Sequence, residues 1–224
     1  MNLLEEIIFA LTDSNTPLQD TLLKLKVFAI KVKNKDLINL ITNELNGYDN
    51  VPVPEYRIIR NPIIGSAANY GSKYTNITLP LMHLDKETRE IIEKCEMYQS
   101  VSSLEEFLKM DDNSFSLHKT IPPEFFNLLS QGFESSHQVY SARMPITKGD
   151  ISSILTRVRS TLLDIMMQIE NSIDDVTAIQ LFKHPDNSTI NEINNIVNNH
   201  IQNIFTSKDE SIQNIKIEQG NHNN

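Results

Sequence analysis

Six histidines and one cysteine are the side chains best suited to metal binding or nucleophilic catalysis in this sequence of 224 residues. The histidines are His83, His118, His137, His184, His200 and His222. No two stand at the HxxxH or HxH spacing that directs both rings at one metal. They read as scattered surface or half-buried residues, so no metal and no cofactor is expected. Cys95 falls on the inward stripe of an expected helix, where a thiol is usually inert. As the single cysteine it can form no internal disulfide and no Cys-rich zinc site. There is no Gly-x-Ser-x-Gly elbow to present a nucleophilic serine. Metal-dependent nuclease chemistry of the Asp…(Asp/Glu)-x-Lys type needs a carboxylate two residues before a lysine, and no lysine here has one.

Phosphate chemistry fares no better. A phosphate cradle needs clustered glycines whose amides converge on the anion. The six glycines of this chain are isolated from one another. Gly65-Ser-Ala-Ala-Asn-Tyr-Gly71-Ser72-Lys73 resembles a P-loop only superficially: the spacing is one residue too long, and Tyr74 stands where a metal-binding hydroxyl is required. A turn between two strands is the better reading. The acidic pairs Glu5-Glu6, Glu105-Glu106, Asp111-Asp112 and Asp174-Asp175 suit helix first turns or solvated loops. Lys24, Lys31 and Lys35 share a helical face. A solvated stripe is the plain interpretation, and contact with nucleic acid or an acidic partner the sharper one.

The net charge of −9 argues against non-specific adhesion to phosphate backbones without closing the question of nucleic acid. The opening Met1-Asn2-Leu3-Leu4-Glu5-Glu6 is acidic where a signal peptide is basic. The longest nearly apolar run, Leu162 to Ile169, is far shorter than the ~20 residues that span a bilayer. The expectation is a cytoplasmic protein with no membrane contact.

Periodicity supplies the elements that must position any site. Leu3, Leu4, Ile7, Ile8 and Leu11 form a helical stripe over 3–12. Thr16-Pro17-Leu18-Gln19 opens a second helix to about Lys33, whose apolar residues lie on several sides and imply a well-covered helix. Asn34 caps a third over 35–46, stopped by Gly47. Strands are expected at about 56–64, 74–81 and 138–146. In the last, Tyr140, Ala142, Met144 and Ile146 share a face. Between them come a helix from Asp85 to about Tyr98, a capping box at Ser103-Leu-Glu-Glu106, and a helix opened by Pro122-Pro123. The fold class is α+β, mainly helical, with a small antiparallel sheet of about three strands and a long C-terminal helix.

That long helix begins at Asp150. Ile151, Leu155, Val158, Leu162, Ile165 and Ile169 recur at alternating spacings of four and three, a heptad seam. So short a seam is more often an internal bundle helix than a coiled coil. Arg157 and Arg159 lie between the seam positions, available to acids on a neighbouring helix or subunit. After Pro185 an Asn-rich helix over 187–206, with Ser188 as its cap, presents Ile190, Ile193, Val197, Ile201 and Ile204. Asparagine favours the helix interior poorly, so this stripe must dock on something. The oligomer-surface candidates are therefore Ile151, Leu155, Val158, Leu162, Ile193, Val197, Ile201 and Ile204. A globular part over 1–183 and a helix with a flexible tail over 184–224 are the expected divisions.

Three segments carry a family resemblance: Lys24-Leu-Lys-Val-Phe-Ala-Ile-Lys31, Glu44-Leu-Asn-Gly-Tyr48 and Pro54-Glu-Tyr-Arg57. With Leu155-Thr-Arg-Val-Arg-Ser-Thr-Leu-Leu-Asp164, they resemble the AbiTii family of bacterial abortive-infection proteins over about 1–172. The resemblance implies phage defence and supplies no catalytic residues. Glu44, Tyr48, Glu55, Tyr56 and Arg57 are the binding candidates, because polar groups concentrate there where a turn meets a strand edge. The expected mode of action is binding or self-assembly, as a homo-oligomer or with a protein encoded nearby. The alternative is a toxic enzyme acting on nucleic acid or nucleotides through a site assembled from distant residues.

Overall fold

The computed structural model describes residues 2–111, 116–133, 136–173 and 186–206. In chain order its elements are α1 (Leu3–Thr12), α2 (Leu18–Lys31), α3 (Lys35–Asn46), β1 (Ile58–Ile59), β2 (Ile64–Ala68), β3 (Lys73–Thr78) and α4 (Lys86–Glu93). There follow β4 (Cys95–Glu96), α5 (Val101–Lys109), β5 (Leu117–Thr120), α6 (Phe126–Ser130), β6 (Gln138–Ile146), α7 (Lys148–Ser172) and α8 (Asn187–Thr206). The chain divides into two compact units. The first comprises 1–57, 98–106 and 153–224, and the second 58–97 and 107–152. The class is α+β and mostly helical, with an antiparallel sheet and one long late helix, as the periodicity implied. The expected boundary at 183/184 and the expected tail from 207 lie outside the described residues.

The first unit is helical. α1 begins with a capping box: the Asn2 side chain accepts from the Glu5 amide, and Glu5 accepts from the Asn2 amide. Thr16 does not cap α2, because its hydroxyl is turned to Asp13 at 2.7 Å. Glu105 of α5 instead accepts from the Leu18 amide at 2.7 Å, a carboxylate at a helix N-terminus. α5 itself starts before Ser103, and Ser100 accepts from the Ser103 amide. Arg159 of α7 pairs with carbonyl oxygens rather than an acid. Nη1 donates to Ala10 at 2.9 Å and to Asp13 at 3.1 Å, and Nη2 donates to Thr16 at 2.8 Å. It thus closes the C-terminal end of α1 and the loop after it.

α2 departs from its expected coverage. Leu22, Leu25, Phe28 and Ala29 are buried, but Leu23, Val27 and Ile30 are 50%, 48% and 56% exposed. α8 packs in cis against α3 and the 3₁₀ turn Glu55–Arg57. Asn34, 3% exposed, fastens that contact from both sides. Its Oδ1 accepts from the Leu37 amide and caps α3, while Nδ2 donates to Asn194 and Asn198 of α8. The residue that caps α8 is Asp186 rather than Ser188, accepting from the Ser188 amide, the Ser188 hydroxyl and the Thr189 hydroxyl.

The second unit carries two antiparallel arrangements: the pair β1–β4, and a four-stranded sheet of order β3-β2-β6-β5. The single strand expected over 56–64 is therefore two. Ile58–Ile59 pairs with Cys95–Glu96, and Ile64–Ala68 lies at the centre of the larger sheet beyond the Pro62 interruption. The helix expected to reach Tyr98 stops at Glu93, which puts Cys95 on a strand, and Ile91 is 53% exposed rather than inward. Lys119 donates to the carbonyls of Ile91 and Lys94 at 2.7 and 2.6 Å, holding the C-terminal end of α4 as a cation should. Gly65 lies mid-strand rather than in a turn. A Cβ there would meet the Ser141 carbonyl oxygen at 2.5 Å and Leu79 Cδ1 at 2.6 Å. The turn comes later, where Asn69 Oδ1 accepts from the amides of Gly71 and Ser72. Thr147 and Asp150 form the reciprocal cap that starts α7.

The register of β6 matters most. Ser141 pairs with Ser66, but the next β2 residue, Ala67, pairs with Val139. Tyr140 is thus the extra residue of a bulge. The bulge reverses the alternation, so Ala142, Met144 and Ile146 share a buried face while Tyr140, expected on that face with them, is 46% exposed.

Candidate functional site

Four of the five binding candidates are gathered at one buried carboxylate. Glu44 stands in the last turns of α3, and Tyr48 follows Gly47, which ends the helix at φ +96°. A Cβ at residue 47 would lie 2.8 Å from the Tyr98 carbonyl oxygen, so this stop requires glycine. Tyr56 and Arg57 arrive from the 3₁₀ turn. Tyr48 and Tyr56 donate their hydroxyls to Glu44 Oε1 at 2.7 and 2.9 Å. Arg57 donates Nε to the same oxygen at 3.1 Å and Nη2 to Oε2. Its Nη1 donates to the Gln99 carbonyl at 2.7 Å, and the guanidinium stacks 4.9 Å from the Tyr48 ring centroid. Glu55 is half-exposed on the same turn.

These side chains form a closed, hydrogen-bonded polar cluster. Glu44, Tyr48 and Arg57 are at most 2% exposed. Burial first, then the Glu44 charge, raises both phenols far above their ordinary values, so they remain donors at neutral pH. Burial works against the Arg57 charge, but the Glu44 carboxylate outweighs it and the guanidinium is held more firmly charged than usual. The bidentate Arg57 pair and the two phenol donors occupy both oxygens of Glu44.

The proposed oligomer ridges are covered within a single chain. Ile151, Val158, Leu162, Ile193 and Val197 are at most 2% exposed, Ile201 is 9% exposed, and Leu155 and Ile204 are half-buried. Their apolar stripes are the inner seams of helices, the commoner use of so short a heptad pattern.

Two arrangements escaped the sequence. Ser72 Oγ lies 2.8 Å from His137 Nε2, and Asn69 Nδ2 lies 3.4 Å from His137 Nδ1. A serine hydrogen-bonded to an imidazole is the first half of a nucleophilic pair. Here, however, Ser72 also meets Asn69 Oδ1 at 3.1 Å within the hairpin turn, and His137 is 4% exposed. The three residues tie the β2–β3 turn to the start of β6. No local motif marks this pair, because Ser72 and His137 stand 65 positions apart.

The second arrangement is the outward face of the four-stranded sheet. It presents Lys73, Tyr140 and Arg143 with the exposed side chains of Asn76, His118, Thr120 and Ser141. Lys73 Nζ lies 5.6 Å from the Tyr140 ring centroid, and Arg143 Nη2 donates to Asn76 at 3.3 Å. Ser66, Asn76, His118, Thr120, Ser141 and Arg143 line a hollow of about 220 Å³. None of the four strands contains an aspartate or glutamate. A larger, mainly apolar hollow of about 440 Å³ lies beside Pro62, Leu79 and Met82. Among the described residues no group of His, Cys, Asp and Glu could hold a metal, and no helix is long and apolar enough to cross a membrane.

Fold and geometry together define an α+β protein with a locked polar centre in its helical unit and an open, carboxylate-free sheet in the other. The AbiTii family model matches residues 2–195, and the chain belongs to the AbiTii family. Membership points to phage defence by abortive infection. No curated protein matches the chain. No solved structure matches it either.

Proposed function

We propose that the protein acts in abortive infection by binding a partner, and that the outward face of the β3-β2-β6-β5 sheet is the contact surface. The observation that carries this reading is the composition of that face: cationic, hydroxyl-bearing and aromatic side chains stand exposed with no acid among them. The Glu44 centre serves instead to join α3 to the Glu55–Arg57 turn. The test is phage challenge of cells carrying the chain with Lys73→Glu and Arg143→Glu. Protection should be lost although the purified variant melts like the parent. Undiminished protection removes the reading. Purified protein incubated with RNA, DNA and nucleotides, with and without divalent metals, separates binding from a toxic enzyme: turnover supports the enzyme.

Self-assembly is a second reading with its own observation. Leu23, Val27 and Ile30, at i, i+4 and i+7, form an exposed apolar stripe on α2. A second copy would cover it by meeting the same stripe across a two-fold axis. Particle mass in solution, compared with a Val27→Lys variant, decides it: a single-copy mass across a wide concentration range excludes this form of the reading.

A further inference from the structure

We propose that this sheet face takes single-stranded nucleic acid, an unpaired base stacking on Tyr140 and the sugar-phosphate chain running past Lys73 and Arg143. The inference rests on the contact-surface reading above and names its partner. The chain as a whole is acidic, at −9, which works against indiscriminate adhesion to phosphate. The charge is unevenly placed, however: none of the 29 acidic residues falls in β2, β3, β5 or β6. Lys73 and Arg143 therefore offer a phosphate chain local attraction on this face with no strand carboxylate to oppose it.

The geometry favours a strand with free bases over a duplex. Arg143 stands in the row of Ile64, and Lys73 in the row of Ala68. The rows are four residue steps apart on β2, about 13 Å along the strand direction. Between the two cations the bulge turns Tyr140 outward, 46% exposed. Lys73 at 5.6 Å from its ring centroid steadies the phenol and keeps an ammonium beside whatever stacks there. An aromatic ring on an open antiparallel sheet, flanked by cations, is a stacking platform, and only unpaired bases offer it a free face. The adjoining hollow of about 220 Å³, lined by Ser66, Asn76, His118, Thr120, Ser141 and Arg143, supplies donors and acceptors for a base edge or a sugar hydroxyl.

Fluorescence anisotropy on the full chain, with a labelled short single-stranded RNA, the same sequence as DNA, and a duplex, tests this. Either single strand should bind more tightly than the duplex. Tyr140→Ala should weaken binding about tenfold, while Tyr140→Phe keeps it. Two phosphate contacts predict a slope of log affinity against log salt near about −1.4, and Lys73→Gln or Arg143→Gln should each remove about 0.7 of it. All four variants lie on the surface, and matched thermal melts confirm that they fold. No binding of either single strand at low salt overturns the proposal. So does affinity indifferent to Tyr140→Ala, or preferential binding of a polyglutamate peptide. Loss of phage protection in the charge-reversed chain without any oligonucleotide binding would leave the contact surface standing and its named partner wrong.

Discussion

Arg57 grips both oxygens of Glu44 from 13 residues away, and both side chains are shut off from solvent, at 0% and 1% exposed. The pair ties the end of α3 to the Glu55–Arg57 turn, and the two tyrosines complete it. Breaking one side strands a buried charge. Arg57→Ala should cost about 3–5 kcal/mol, measured as the shift in urea midpoint at constant slope. Replacing both partners by apolar residues, Glu44→Leu with Arg57→Met, should cost much less than the single change. If the single and double variants lose stability equally, the pair is not the lock described.

Arg159 makes a second, independent fastening. Its guanidinium donates to four carbonyls at the end of α1 and in the loop beyond, at Ala10, Leu11, Asp13 and Thr16. Arg159→Met keeps much of the apolar stem and removes the donors. It should destabilise the chain by about 1.5–3 kcal/mol, the range for hydrogen bonds to a charged group. Hydrogen exchange should quicken first at the C-terminal turn of α1. Protection unchanged there would show that water satisfies those carbonyls equally well.

The contrast between these fastenings and the sheet face shows what was legible in the residues. Helices were readable because their apolar stripes and caps are local: Asn34 and Gly47 mark the two ends of α3 in the sequence itself. Glu44, Tyr48, Tyr56 and Arg57 were legible as a polar concentration, but not as a closed one, since burial is a tertiary property. The ridges on α7 and α8 were visible as stripes, yet periodicity cannot say whether the covering surface belongs to the same chain. Tyr140 shows the limit most sharply. Strict alternation puts it with Ala142 and Met144, and one bulge against Ala67 reverses it. β5 was not anticipated, because Leu117–Thr120 is too short to show a period.

Asn34 allows capping and docking to be separated by single changes. Its oxygen caps α3, and its nitrogen holds Asn194 and Asn198. Asn34→Asp preserves the acceptor and removes the donors, so α3 should remain capped while α8 loosens. Asn34→Ala should lose both, costing roughly 1 kcal/mol more for the cap alone. Limited proteolysis within 187–206 reads the docking, and the global melt reads the cap. Equal proteolysis of the parent and the Asp variant would mean that the isoleucine face holds α8 without help from Asn34.

Acid should act on the start of α8. Hydrogen bonds from the Ser188 and Thr189 side chains, then the Ser188 amide, hold the Asp186 carboxyl down to about 2. An unfolded aspartate titrates near about 3.9. Because the folded value is the lower one, the unfolded chain takes up the proton first as pH falls. The stabilisation is therefore full above about pH 4 and disappears as pH drops through about 2. Asp85 at the head of α4, lowered first by its Thr88 hydrogen bonds, acts in the same direction. Helicity followed by circular dichroism at successive pH values should fall across that window. Asp186→Asn, which keeps a capping oxygen but cannot titrate, should flatten the α8 part of the fall. An identical acid profile for parent and variant would assign the acid sensitivity to other carboxylates.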